Sequence, residues 1–259
     1  MYKILNGNCL DIMRDVIPDN SVDLTVTSPP YDDLRTYNGY SFDFEEIAKE
    51  LYRVTKEGGV IVWVVNDATI KGSETGTSFE QALYFKKCGF NLHDTMIWYK
   101  GSCPFPDKTR YYQSFEYMFV FSKGKPRVTN LLKDRKNKWS GTKAHGTERR
   151  KNGETVPLSA VKLNNNRVVK DYGVRFNVWE ISPERNNKTG HPAVFPEQIA
   201  NDHIISWSNE GDLVFDPFVG SGTTGRMAVL NNRKFIGIDI SEEYCEMSEE
   251  RIKDIINNK

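Results

Sequence analysis

The period of the apolar positions changes several times along this chain, and each change marks an element. Val22 to Val26 read as a short strand running into Thr27-Ser28, where Pro29 and Pro30 stop it because proline donates no backbone hydrogen bond. Phe44, Ile47, Ala48 and Leu51 recur at helical spacing. Gly58-Gly59 is expected to end that helical region, and the unbroken run Val60 to Val65 then reads as a buried strand. Phe79, Ala82, Leu83 and Cys88 mark another helix, closed by Gly89. Thr95 to Tyr99 is a strand candidate, and Phe115, Tyr117, Phe119 and Phe121 alternate with other residues as a strand does.

From Lys123 to Thr189 the periodicity fades into a polar stretch of Asn, Lys, Arg and Gly, with Trp139, Tyr172, Phe176 and Trp179 as its main aromatic anchors. Order returns after His191-Pro192. Pro196 is suited to open a helix carrying Ile199, Ala200, His203, Ile204 and Trp207. Asp212 to Phe215 reads as a strand, Thr224 to Leu230 as a helix and Phe235 to Ile240 as a strand, with Ser241 capping a last helix. Strands alternating with helices predict an α/β fold with a mostly parallel sheet covered on both faces. The expected organisation is one domain made of residues 1–122 and 190–259, interrupted by an insertion at 123–189.

Composition supports a packed core, with 38% hydrophobic and 12% aromatic residues. No apolar run approaches the roughly 20 residues of a membrane span, and the N-terminus lacks a signal pattern. The chain therefore reads as cytoplasmic. The four cysteines, Cys9, Cys88, Cys103 and Cys245, form no Cys-x-x-Cys pair, so no metal site is expected. The net charge is zero, but the average hides a polarity: residues 123–188 carry 17 Lys and Arg against 6 Asp and Glu. That block of net +11 inside an otherwise acidic chain suits either a phosphate-binding surface or a solvated insertion. His93, His145 and His203 read as ordinary surface or core residues.

Two loops carry candidate chemistry. Phe215 to Gly225 joins a strand to a helix, and Gly220, Gly222 and Gly225 fit G-x-G-x-x-G. Asp239 follows Gly220 by 19 residues at the end of the next strand, the place of a carboxylate that grips ribose hydroxyls. A nicotinamide dinucleotide is one rival ligand, but it needs a further βαβ half, and only 20 residues follow Asp239. Asp216, at a strand's carboxyl end, is placed to accept from a ligand amino group, which a pyrophosphate lacks. S-adenosyl-L-methionine fits better.

The second loop is Thr27-Ser28-Pro29-Pro30-Tyr31, just past a strand. Its prolines fix where the carbonyls point. The Ser28 hydroxyl and the carbonyl of Ser28 or Pro29 are positioned to accept from one amino group, and Tyr31 offers a face for stacking on an extruded base. Taken by itself, the segment is also consistent with a stiff proline turn packed by a tyrosine.

At these residues the sequence resembles the amino-directed DNA methyltransferases of bacteria and phages, in the order that puts the catalytic loop first and the cofactor loop near the C-terminus. Thr27 to Tyr31 looks like the catalytic motif, Asp216 to Thr224 the methionine-binding motif, and Phe235 to Asp239 the ribose-binding strand. His191 to Pro196 is similar to a cofactor-binding segment, and Asn6 to Asp11 stands in the place of one near the cofactor adenine, although many relatives carry Asp at Asn8 and a basic residue at Phe195.

The resemblance implies a permuted Rossmann-like fold dependent on S-adenosyl-L-methionine. It assigns catalysis to Ser28, Pro29, Pro30 and Tyr31. Cofactor binding falls to Asn8, Cys9, Thr27, Phe195, Asp216, Pro217, Phe218, Gly220, Ser221, Gly222, Thr223, Thr224, Asp239 and Ile240. The basic block falls where target recognition is implied, with Lys143, Arg149, Arg150 and Lys151 as phosphate contacts on double-stranded DNA. A homodimer and a separately acting cognate restriction endonuclease are further partners known in the group, and no residue here specifies either. Serine at the first motif position favours cytosine N4 as the target, with adenine N6 the alternative. Transfer to RNA or to a protein amide, and a nucleotide-binding regulator without catalysis, stay as lesser readings.

Overall fold

The structure is a computed structural model that describes residues 1–30, 42–102, 108–158, 168–183 and 196–257. In chain order its elements are β1 (Tyr2–Asn6), α1 (Cys9–Val16), β2 (Val22–Thr27), α2 (Phe44–Val54), β3 (Thr55–Val65), β4 (Thr69–Ile70), β5 (Ser73–Glu74), α3 (Thr77–Lys87), β6 (Asn91–Tyr99) and β7 (Phe115–Ser122). They continue with β8 (Arg135–Lys136), β9 (Thr147–Arg149), β10 (Thr155–Pro157), β11 (Tyr172–Gly173), β12 (Val178–Glu180), α4 (Glu197–Trp207), β13 (Leu213–Asp216), α5 (Thr223–Leu230), β14 (Lys234–Asp239) and α6 (Glu242–Asn257).

Two compact units result, one made of residues 1–130 with 177–259, the other of residues 131–176. The first holds an eight-stranded sheet in the order β1-β14-β13-β2-β3-β7-β6-β12. β7 alone runs against its neighbours β3 and β6, and every other pairing is parallel. Strand β3 shows why the sheet must be covered on both faces. Val60, Val62 and Val64 pack in one core with α4, α5 and α6. Ile61, Trp63 and Val65 pack in a second core with α1, α2 and α3. The period-two alternation of a strand divides its six apolar residues between two buried faces, so the run is continuous in sequence.

Gly58 and Gly59 do not end a helical region. α2 stops at Val54, where the Thr55 N–H bonds back to Leu51, and both glycines lie inside β3 at a register shift against β2. A Cβ on Gly59 would stand 2.9 Å from the Lys56 carbonyl and 3.1 Å from that of Asp23, so the shift brings backbones too close for a side chain. Asp23 is buried there, accepts from the Leu213 N–H at 2.9 Å, and pairs with Lys56 and Arg127. It ties the start of β2 to the start of β13.

The second unit is narrower than the expected 123–189 insertion. Trp179 lies outside it: β12 pairs in parallel with β6, and Trp179 is buried in the large core. Trp139, Tyr172 and Phe176 do belong to the second unit, yet they are exposed rather than anchoring a core. Two short ladders, β8 with β11 and β9 with β10, give this unit its regular structure. Among the described residues no helix is long and apolar enough to cross a membrane.

Candidate functional site

Strands β2 and β13 are parallel neighbours, but the chain leaves them in opposite senses. After β2 it passes through α2, on one face, to β3; after β13 it passes through α5, on the other face, to β14. Such a switch point opens a crevice at the carboxyl ends of the strands, where open α/β sheets bind ligands. Both loops singled out in the sequence begin here, Ser28-Pro29-Pro30 after β2 and the glycine loop after β13.

Two buried hydroxyls join the loops. Thr27 Oγ1 donates to Asp216 Oδ1 at 2.6 Å. Thr224, in the first turn of α5, donates from Oγ1 to the Val26 carbonyl at 3.2 Å. Asp216 is itself buried, and loss of water pushes its carboxyl up from 3.8 to about 7. The Thr27 hydroxyl and the Phe218 N–H, 3.0 Å away, oppose that shift, while the charge of Asp239 adds to it.

Each conspicuous glycine answers a local constraint. Gly222 caps α5 at φ +80°, in the left-handed region, and a Cβ there would lie 2.8 Å from Ser248 Cα. On Gly225 a Cβ would meet the Phe235 ring at 2.5 Å, so only glycine lets α5 lie this close to β14. Asp239 holds the loop in shape: Oδ2 accepts from the Gly220 N–H and Oδ1 from the Ser241 N–H, both at 2.9 Å.

The N-terminal segment adjoins the same corner. Asn6 Nδ2 donates to the carbonyls of Asp239 and Ile240 at 3.2 and 3.1 Å, and the Gly7 N–H bonds to the Asp239 carbonyl at 2.9 Å. Asn8 caps α1 by accepting from the Leu10 N–H at 2.8 Å. Burial pushes the Cys9 thiol up to about 12, so it stays protonated at neutral pH.

The periodicity gave no sign of the residues that brace the loop from behind. Arg251, on α6, donates from Nη1 to the Ser221 carbonyl at 2.5 Å and to Ser221 Oγ at 3.0 Å, and reaches Thr223 Oγ1 at 3.5 Å. Its other nitrogen pairs with Glu197 at 3.1 Å, and Glu197 also holds Arg226. The side chains of Ser221 and Thr223 are thus engaged by the protein itself. A single Arg or Glu at helical spacing reads as a solvated face, and only the tertiary contact distinguishes these two.

The described structure therefore brings together Asn8, Cys9, Thr27, Ser28, Pro29, Pro30, Asp216 to Phe218, Gly220 to Thr224, Asp239 and Ile240 around one corner of the sheet. Tyr31 and Phe195 lie outside the described residues. Lys143, Arg149, Arg150 and Lys151 belong to the other unit and are all exposed, with Arg149 ending β9 and Arg150 and Lys151 in the turn that follows it. The corner suits S-adenosyl-L-methionine in its chemistry. The carboxyls of Asp216 and Asp239 complement an amino group and ribose hydroxyls, beside a loop whose glycine admits close backbone approach.

Comparison with known proteins agrees with this geometry. Residues 22–250 match the N6/N4 DNA methylase family. The chain is 62% identical over 252 residues to the orphan methyltransferase M.BamHII of Bacillus amyloliquefaciens, covering 94% of this chain and 93% of that protein. Among solved structures it shares its fold with the cytosine-N4-specific PvuII DNA methyltransferase at a TM-score of 0.69 and 23% identity, over 99% of this chain and 92% of that one. The complex of M1.HpyAVI with S-adenosylmethionine matches at a TM-score of 0.64 and 21% identity, over 97% and 100% of the two chains. The chain belongs to the N6/N4 DNA methylases, and it is an S-adenosyl-L-methionine-dependent methyltransferase of amino groups in DNA.

Proposed function

We propose that the enzyme is site-specific, acts on a base flipped out of the duplex, and takes cytosine N4 as its target. The observation that carries the assignment of roles is the Thr27–Asp216 hydrogen bond, which holds Ser28-Pro29-Pro30 against the glycine loop. Asp216, the backbone of Gly220 to Thr224, and Asp239 hold the cofactor. When bound there it supplies an electrophilic methyl group. The Ser28 hydroxyl and the Pro29 carbonyl accept hydrogen bonds from the target amino group. Those bonds localise its nitrogen lone pair, which the base ring otherwise shares, and aim it at the cofactor. Tyr31 stacks on the extruded base. Most of the rate enhancement then comes from positioning and fixed dipoles. Serine at position 28 favours cytosine, since that is its association in the family the motif resembles.

The basic unit at residues 131–176 serves as the DNA-recognition region, with Lys143, Arg149, Arg150 and Lys151 on phosphates. Twelve Lys and Arg against four Asp and Glu in this span support that role.

Ser28→Ala and Tyr31→Ala test the catalytic assignment. Both variants should bind labelled cofactor while methyl transfer to DNA collapses; full activity in both overturns it. Digestion of the methylated product to nucleosides and mass analysis identify the base. N4-methylcytosine supports the target assignment, and N6-methyladenine replaces it.

A further inference from the structure

Four of the five tryptophans are buried: Trp63, Trp98, Trp179 and Trp207 are at most 6% exposed. Trp139 is 64% exposed. A single exposed aromatic is common on protein surfaces, so the significance of Trp139 lies in what surrounds it.

The backbone around Trp139 is not loose. The Asn137 N–H bonds to the Asp171 carbonyl at 2.8 Å, and Asn137 Nδ2 donates to the Lys170 carbonyl at 2.8 Å. Ser140 Oγ donates to the Asp171 carboxylate. The Gly141 N–H reaches the Val169 carbonyl at 3.0 Å, and the Val169 N–H the Thr142 carbonyl at 2.8 Å. The Trp139 carbonyl accepts twice from Thr142, from its N–H at 3.3 Å and its hydroxyl at 2.8 Å. Gly141 turns the chain at φ +79°. The tight turn 137–142 is thus bonded to the segment 169–171 beside it, with Trp139 64% exposed within the turn.

The surroundings are cationic. Lys138 Nζ lies 5.9 Å from the Trp139 ring centre, and Lys136, Lys138 and Lys143 are exposed on the same unit. Phe176 in this unit is covered by the Arg135 guanidinium at 4.5 Å. An exposed indole on a backbone-anchored turn, with the Lys138 ammonium beside it and further lysines on the same unit, matches two features of nucleic acid together, the π-face of a base and the phosphates beside it.

We propose that Trp139 is a DNA-contact residue that stacks on a base at a step opened in the duplex, with Lys136 and Lys138 on the flanking phosphates. It rests on the reading of residues 131–176 as the DNA-recognition region, and goes beyond it by naming a stacking contact where charge alone supplies none. Stacking is sequence-tolerant and insensitive to salt in itself, whereas each phosphate contact releases counterions.

The test uses the full-length enzyme with unmethylated duplex DNA. Because Trp139 alone among the tryptophans is accessible, acrylamide quenching of tryptophan fluorescence reads it directly, and DNA should protect it. Trp139→Ala should weaken DNA binding roughly tenfold or more without changing the slope of log K against log salt. Trp139→Phe should recover much of that loss, and both variants should keep the wild-type melting temperature. Lys136→Ala with Lys138→Ala should lower the slope instead. Quenching unaffected by DNA, or wild-type affinity and methylation in Trp139→Ala, overturns the proposal while wild-type methylation of DNA leaves the enzyme's assignment standing. A fall in slope with Trp139→Ala also overturns it, since a charge effect would then account for the loss.

Discussion

Thr27 Oγ1 donates a 2.6 Å hydrogen bond to Asp216 Oδ1, joining segments 189 residues apart across the neighbouring strands β2 and β13. Both residues are buried, so neither has water to replace its partner. The bond makes the position of Ser28, one residue on, depend on the strand that leads into the glycine loop. Thr27→Val keeps the shape and removes the donor. It should cost about 0.5–1.5 kcal/mol in urea unfolding, the usual net worth of one hydrogen bond, since Asp216 Oδ1 still accepts from the Phe218 N–H. Methyl transfer should fall in both kcat and kcat/KM, because the acceptors for the amino group lose their register. Unchanged stability and kinetics would show that the bond positions nothing.

The raised carboxyl of Asp216 gives stability a pH dependence of definite sign. Its pKa goes from 3.8 to about 7 on folding, mainly by burial. Between those values the folded chain holds a proton that the unfolded chain has released. The contribution is fully present below about pH 3.8 and is lost as pH rises through about 7, with a slope of at most about 1.4 kcal/mol per unit. Asp216→Asn should flatten that slope, whatever it does to the absolute stability. Urea titrations from pH 5 to 8 on both proteins compare the slopes directly. Equal slopes would place the titration elsewhere.

Arg251 braces the glycine loop from α6, with Glu197 behind it. Arg251→Ala should lower cofactor affinity by about 1–3 kcal/mol, since charge-assisted bonds to Ser221 are lost. The effect should appear in the KM for the cofactor, with kcat at saturation close to wild type, because Arg251 touches the loop's back rather than the reacting groups. Calorimetric titration and steady-state rates separate the two. A loss confined to kcat would contradict the bracing role.

What could be read from the chain follows the range of the forces involved. β3 and the glycine loop were legible because alternation, an apolar run and glycine spacing are local. The ends of elements were less so: Gly58-Gly59 look like a helix stop, yet a register shift against β2 absorbs them inside a strand. Trp179 lies in a polar stretch, but its burial comes from β6, some 80 residues earlier. Asp239 could be placed at the end of its strand from the glycine spacing, while its bonds to Gly220 and Ser241 depend on how the two loops meet. Arg251 had no local signal at all.

The end of β9 and the turn to β10 carry Arg149, Arg150 and Lys151 into solvent. Arg150 and Glu154 are 3.5 Å apart, but both are more than half exposed, so the pair is weak and leaves the guanidinium available to a stronger partner. If the three cations sit on phosphates, each releases counterions on binding and contributes about 0.9 to the slope of log K against log salt. Replacing all three with alanine should lower that slope by nearly 3 and weaken binding most at low salt. Cofactor affinity should stay at the wild-type value, since no cofactor-site residue is altered. Filter binding between 50 and 200 mM salt is a range in which such a change is measurable. A slope equal to wild type would remove the hairpin from the DNA interface and leave its charge as a solvated surface.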